Sequence, residues 1–222
     1  LIDGPGLTAA TWQYRYDNLQ ACIATFCATN GTPTRKTVTV TEPDGDTTVS
    51  TFGKIYGEDE GQLLSVETRR GATVASRTDY TYVTSAEASL MPFPDVIGES
   101  ATEFADPFSV AALRPMRGTL LTQDGNTFGS TVNAYDAFAH PLSVSKNNNL
   151  GYAKTDVTEY QHDFATWVIG AVKRQYNADT SMVMAQTDYN AQMLPWKTYK
   201  FGKLQHIMSY WSDGNINTVT DG

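Results

Sequence analysis

Three histidines, His140, His162 and His206, are the side chains best suited to metal or acid–base chemistry in this chain. They lie far apart in sequence, in none of the short spacings that present metal ligands from one helix or loop. A metal site would have to be assembled across neighbouring strands, with carboxylates such as Asp136 or Asp163 joining the imidazoles. Without ligand spacing the expectation is three ordinary surface or loop histidines, no metal and no cofactor. Nucleophilic chemistry has no better support. No Gly-x-Ser-x-Gly elbow is present, and Gly129-Ser130 lacks its flanking residues. Glu58-Asp59-Glu60 lacks the spaced oxygen ligands of a calcium loop. Neither G-x-G-x-x-G nor a Walker sequence occurs. The chain is not expected to be an enzyme.

Aromatic and sulfur chemistry remain. Trp12, Trp167, Trp196 and Trp211 stand among 12 tyrosines. Exposed together they would make stacking platforms for sugar rings; buried, they would pack one strand layer on the next. The chain's 2 cysteines, Cys22 and Cys27, form C-x4-C ahead of Thr29-Asn30-Gly31. A disulfide there would pin a tight loop and fit an oxidising compartment. The competing reading is a pair of reduced, half-buried thiols. Zinc is not supported, because no second pair or nearby His completes four ligands.

The bulk numbers exclude several classes. The 222 residues suit one large all-β domain or a segment of a longer repeat array. Charged residues are only 18%, against about 25% in ordinary soluble domains, and the net charge is −8. Lys and Arg are scattered apart from short pairs such as Arg69-Arg70, so no basic stripe grips a phosphate backbone and nucleic acid is not an expected partner. No apolar run reaches the roughly 18 residues of a membrane span. The chain begins at Leu1 and stops at Thr220-Asp221-Gly222 without an atypical capping unit. It is therefore expected to be an interior segment of a longer protein.

The elements that must position any site are strands. Thr, Val and Tyr alternate in Thr11–Tyr16, Thr37–Val40, Asp79–Val83, Thr155–Tyr160 and Trp196–Tyr199, the period of half-buried strands. Asp44-Gly45, Asp124-Gly125-Asn126, Asn147-Asn148-Asn149 with Gly151, and Asp213-Gly214-Asn215 separate them as turns. From Ser85 to Pro115 the rhythm lapses around Pro92, Pro94, Pro107 and Pro115, which reads as an irregular insertion with one helical turn near Ser109–Leu113. Phe93, Phe104 and Phe108 suggest that it packs on the sheet. The expected division is 1–84, 85–115 and 116–222.

An internal repeat outranks these local signals. Tyr135-Asp136-Ala137-x-x-x-Pro141 returns as Tyr189-Asn190-Ala191-x-x-x-Pro195, each followed by a strand-like run. Tyr160 and Tyr210 fall in the same rhythm, with Tyr176-Asn177 as a partial copy. Such units bury their apolar faces by stacking on neighbours. The expected fold is all-β, with antiparallel strand-turn-strand repeats forming a spiralling sheet shell or solenoid.

Tyr135-Asp136, Tyr189-Asn190 and Tyr210 with Gly214 resemble the tyrosine–aspartate (YD) repeats of the rearrangement-hotspot (RHS) family. Glu42-Pro43-Asp44-Gly45-Asp46 running into Thr51-Phe52-Gly53-Lys54, Glu60–Leu64, and Thr166–Gly170 followed by Gln175-Tyr176 are similar to stretches of its bacterial members. The likeness covers most of the chain and is weakest between Ser85 and Pro115. The family's Gly is missing around Ala137–His140, and Trp211 stands where Asp is usual. The resemblance implies a secreted or cell-surface hollow shell whose partner is the rest of the parent chain, such as an enclosed C-terminal toxin. Related repeats serve cell-surface adhesion, so the alternative it leaves is a module binding cell-surface glycans. Its self-cleavage signature, Asp-Pro-x-Gly, is not matched by Asp106-Pro107-Phe108-Ser109.

Overall fold

The computed structural model describes residues 4–6, 9–20, 22, 23, 27, 29, 31–97 and 111–222. Two compact units share the chain, 1–129 with 148–150, and 130–147 with 151–222.

The first unit holds β1 (Gln13–Asp17), β2 (Arg35–Thr41), β3 (Thr47–Gly53), β4 (Leu63–Arg70), β5 (Thr73–Tyr82), β8 (Met116–Gln123) and the start of β9 (Asn126–Tyr135). Between β5 and β8 lie the short helix α1 (Ser85–Ala88) and a small ladder of β6 (Val96–Ile97) with β7 (Ala111–Ala112). The helix starts where Thr84-Ser85-Ala86-Glu87 spells a capping box. Thr84 Oγ1 accepts from the Glu87 N–H, and the Glu87 carboxylate accepts from the Thr84 N–H at 3.0 Å. Ala111 and Ala112 are thus a strand and not part of a helical turn, because their backbone groups pair with Ile97 and Val96. Phe93 is buried as expected of a packed insertion, while Phe104, Phe108 and Asp106-Pro107 lie outside the described residues.

The second unit continues with the rest of β9, then β10 (Pro141–Asn148), β11 (Ala153–Asp163), β12 (Val168–Asn177), β13 (Val183–Tyr189), β14 (Pro195–Lys200), β15 (Lys203–Tyr210) and β16 (Ile216–Asp221). The chain is all-β, with a 14-stranded antiparallel sheet in the order β1 to β5, then β8 to β16. β1 and β16 end that order, so the sheet is not closed.

Few side chains are fully buried. Among the described residues the buried apolar ones are Cys22, Cys27, Val83, Ala88 and Phe93 in the first unit, and Tyr135 and Met193 in the second. Most strand residues are half-buried, as the Thr-rich alternation dictates. Polar side chains help bind neighbouring strands: Lys146 of β10 reaches Asp156 of β11, which also meets Lys154 on its own strand, and Arg174 of β12 meets Glu159 of β11. On a half-wet sheet solvent screens such pairs, so each contributes little.

Candidate functional site

The Tyr-Asp repeat is a turn. In 136–140 the Asp136 N–H donates to the His140 carbonyl (3.0 Å) and the Ala139 N–H to the Asp136 carbonyl (3.1 Å). The same two bonds recur in 190–194 (2.9 and 3.0 Å), in 211–215 (2.9 and 3.0 Å), and in the first unit's 42–46 (2.8 and 3.0 Å). Each turn places its fourth residue at positive φ: Ala139 (64°), Met193 (60°), Gly214 (86°) and Gly45 (90°). Asx residues suit the first position because a side-chain oxygen there can replace a strand partner. Asp136 Oδ1 accepts from the N–H groups of Phe138 and His140, both at 2.8 Å. Asn190 Oδ1 does the same for Gln192 and Leu194, at 3.0 and 2.9 Å. With Trp211 in first place this service is lost, and Asp213 instead accepts from the Asn215 N–H. Pro141 and Pro195 open the following strands.

The repeat tyrosines bind the sheet from the side. Tyr160 donates its hydroxyl to the Pro141 carbonyl (3.2 Å), Tyr189 to that of Val172 (2.8 Å), and Tyr210 to that of Pro195. In the first unit Tyr82 reaches the Leu63 carbonyl (3.0 Å). Tyr135 is buried. Phenols serve because the ring covers apolar surface while its oxygen ties a strand end.

One turn gathers titratable groups. Asp136 Oδ2 lies 2.8 Å from His140 Nδ1 and 3.2 Å from His162 Nε2, so ligand-type atoms of all three residues fall within 4.8 Å of one another. The β10–β11 ladder explains the meeting. Its register pairs Ser143 with Val157, and continued to the turn it sets residue 140 against 160 and 138 against 162. The rings agree: His140 lies 5.0 Å from Tyr160 and Phe138 4.9 Å from His162. His162 stands at a break in the β11–β12 register between Gln161 and Asp163, where Gly170 has φ 80°. Burial raises the Asp136 carboxyl, but the His140 ring and the N–H groups of His140 and Phe138 outweigh it and hold the acid below its ordinary value. Burial, with the charge of Asp136 second, raises the Tyr160 phenol.

Two imidazoles and a carboxylate are a metal-like donor set, yet the surroundings are wrong for a metal. A histidine that ligates through Nε2 needs its proton on Nδ1, facing an acceptor. Here the Gly170 N–H donates to His162 Nδ1 at 3.1 Å. That nitrogen offers its lone pair, so the neutral ring bears its proton on Nε2, toward Asp136. Gly170 also presses on His140, since a Cβ there would stand 2.7 Å from Cε1 and Nε2. The trio is built as a polar clamp, with the carboxylate tying its own turn to His140 and facing His162 on β11.

The other candidate residues are scattered. His206 meets Asp221 across the exposed β15–β16 pair, far along the sheet from the other two. Asp163 joins no histidine; its Oδ1 accepts from the N–H groups of Ala165 and Thr166, which, with Thr166 foremost, keep the acid below its ordinary value. Asp59 is bound to Arg35 and the Ile55 N–H, and Glu58 to Ser85. Cys22 and Cys27 are buried at disulfide distance, Cα–Cα 5.7 Å.

Trp12 is half-buried in the first unit. In the second, Trp196 is 38% exposed with Lys197 Nζ 4.1 Å over its ring, and Trp211 is 61% and Trp167 73% exposed. Trp167, Trp196 and Trp211 thus present ring surface to solvent. Trp167 also has φ 57°, a left-handed conformation that costs a residue with a Cβ about 1–2 kcal/mol. Sequence reasoning missed Phe138, Phe164 and Gly170, which frame this turn region. Phe138 meets His162 through the register of the β10–β11 hairpin, which only the paired strands define.

No protein-family model and no curated protein matches the chain. No helix among the described residues is long and apolar enough to cross a membrane.

Proposed function

We propose that this chain is a wall segment of an RHS/YD-repeat shell, exported or surface-exposed, with a mechanical and not a catalytic role. It would wall off or present another part of its parent chain, such as a C-terminal toxin. The supporting observation is the recurrence of one hydrogen-bonded turn at 136–140, 190–194 and 211–215, each entered from a tyrosine. Repetition of a turn along consecutive antiparallel strands extends a sheet by identical steps, which suits a wall and requires no pocket.

The test is limited proteolysis of the natural full-length chain, following by mass spectrometry any sequence C-terminal to Gly222. Survival of that sequence until the repeats are cut supports enclosure. Its immediate digestion while the repeats persist, or a natural chain that ends at Gly222, removes the enclosed cargo from the reading. The wall would then be a stalk or a binding surface.

A further inference from the structure

We propose that one rim of the second unit docks on the surface of an anionic lipid bilayer, with Phe201, Met182 and Tyr152 entering the headgroup boundary and the lysines beside them meeting phosphate. The proposal does not depend on the shell reading. Because β10 to β16 pair antiparallel in chain order, their hairpins open alternately at the two ends of the strands. The ends of β10–β11, β12–β13 and β14–β15 therefore share one rim, and those of β11–β12, β13–β14 and β15–β16 share the other. Two strand spacings, roughly 10 Å, separate neighbouring hairpin ends on a rim. The first rim presents Tyr152, 71% exposed, Met182, 55%, and Phe201, 58%.

The β14–β15 tip carries the argument furthest. Phe201 and Gly202 have φ 50° and 74°, and Asp124 and Gly125 form the same two-residue turn at φ 50° and 75°. Asp-Gly is a pair that such a turn favours, because Asp tolerates the left-handed region and Gly enters it without strain. Phe201 forgoes that preference and sets its ring in solvent. A second local rule is broken beside it. Lys200 stands opposite Lys203 across the strands, and like charges so placed repel. Neither lysine joins an ion pair among the described residues. The β10–β11 hairpin repeats the arrangement with Lys146 opposite Lys154, where both reach Asp156 at 3.1 and 2.9 Å. Two unfavourable choices at one tip are the kind of outlier that an external partner explains. That partner must accept an apolar ring and cations together.

Charge and discontinuity select a bilayer. The acids on this rim have partners within the chain: Asp156 holds Lys146 and Lys154, Asp179 accepts from the Thr155 N–H at 2.8 Å, and Asp221 meets His206. The opposite rim is also aromatic, but its hairpin ends at 136–140, 163–167, 190–194 and 211–215 hold Asp136, Asp163 and Asp213 and neither lysine nor arginine. An anionic surface repels that rim. The net charge of −8 does not cancel the attraction of the lysines, because physiological salt screens charges beyond about 8 Å. A protein partner would need a continuous, densely packed core of contact. Here the apolar side chains stand singly on separate tips, with exposed Ser181 beside Met182 and Gly202 beside Phe201. A fluid interface closes around each tip on its own, aromatic rings settle at the headgroup level, and lysines meet phosphate.

The experiment measures co-sedimentation of the protein with vesicles of phosphatidylcholine alone and with vesicles that also contain about one third phosphatidylserine. The variants are Phe201→Asn, the double variant Lys200→Gln with Lys203→Gln, and Trp211→Ala. Asn-Gly is the preferred pair for this turn, so Phe201→Asn removes the ring while keeping the fold, checked by circular dichroism. Binding to the anionic vesicles is expected, with at least tenfold weaker binding to phosphatidylcholine alone. Phe201→Asn should weaken it about tenfold or more, and the double lysine variant about 25-fold, from roughly fivefold per lysine at an anionic surface. Trp211→Ala, on the opposite rim, should bind as the natural chain does. The proposal is overturned if the protein stays in solution with anionic vesicles up to about 5 mM lipid, above the millimolar range of weak binding. Equal binding by Phe201→Asn or by the double lysine variant also overturns it. So does release by soluble glycerophosphoserine, which would mark a site for a free phosphate ester and not a bilayer surface. Self-association in sedimentation that Phe201→Asn abolishes would make the rim a protein contact and overturn it as well.

Discussion

Replacing Asp136 by Asn separates the two tasks of its carboxylate. Oδ1 closes the turn, a service that Asn190 performs equally well with Gln192 and Leu194. Oδ2 faces His140 Nδ1 at 2.8 Å and His162 Nε2 at 3.2 Å. An amide NH2 in place of Oδ2 can still bond to His140, whose ring can move its proton to Nε2. It cannot suit His162, because the Gly170 N–H already occupies Nδ1 and fixes the proton on Nε2. Asp136→Asn therefore exchanges a charged hydrogen bond of about 1.5–3 kcal/mol for a neutral one of about 0.5–1.5, and sets two donors face to face. The expected loss is about 1–2 kcal/mol. Asp136→Ala also leaves two backbone N–H groups without their acceptor and should cost about 3–4 kcal/mol. Asn190→Asp should stay within about 0.5 kcal/mol of the natural chain.

Urea denaturation followed by tryptophan fluorescence reads these differences. With a slope of about 2 kcal/mol per molar, the midpoint should fall by roughly 0.5–1 M for the Asn variant and by 1.5–2 M for the Ala variant. The pH dependence supplies an independent check. Asp136 is held below its ordinary value of 3.8 in the folded chain. Its ionisation thus contributes stability that is complete above 3.8 and disappears as pH falls through the lower folded value. The gap between the natural chain and Asp136→Asn should narrow as pH falls below 3.8. Equal stability of Asp and Asn at pH 7 would refute the clamp. So would an Asn variant as damaged as the Ala one, because the turn would then be all that Asp136 supports.

Further predictions concern the same framework. Gly170→Ala should lower the urea midpoint more than any exposed Gly→Ala change, since φ is 80° and the new Cβ would press on the His140 ring at 2.7 Å; a neutral result would mean that this contact is easily relaxed. Tyr210→Phe and Tyr160→Phe should each cost about 0.5–1.5 kcal/mol by losing one hydroxyl-to-carbonyl bond, and unchanged midpoints would show that water replaces it. Zinc(II) or nickel(II) should leave the thermal midpoint unchanged at tenfold excess, because His162 presents a proton and not a lone pair to Asp136. A metal-induced rise that His162→Ala abolishes would overturn that assignment.

The strands were legible because Thr, Val and Tyr alternate with a period that only a pleated sheet satisfies, and because Asp-Gly and Gly-Asn pairs mark the hairpins. Tyr135-Asp136 and Tyr189-Asn190 were legible as a repeat, since one turn needs the same acceptor at the same offset each time. The 211–215 turn shows how far that logic extends. Trp211 supplies no side-chain acceptor, yet the backbone bonds persist because Gly214 takes the left-handed position without strain and Asp213 holds Asn215. Geometry outlasts the motif that announces it. The clamp stayed hidden for the opposite reason: Asp136, His140 and His162 meet through the register of one ladder, and register is a property of paired strands. Trp167 was legible as an aromatic but not as an exposed one. It stands at a left-handed φ of 57° in the four-residue link from β11 to β12, whereas the five-residue link 136–140 from β9 to β10 places Ala139 at such a φ.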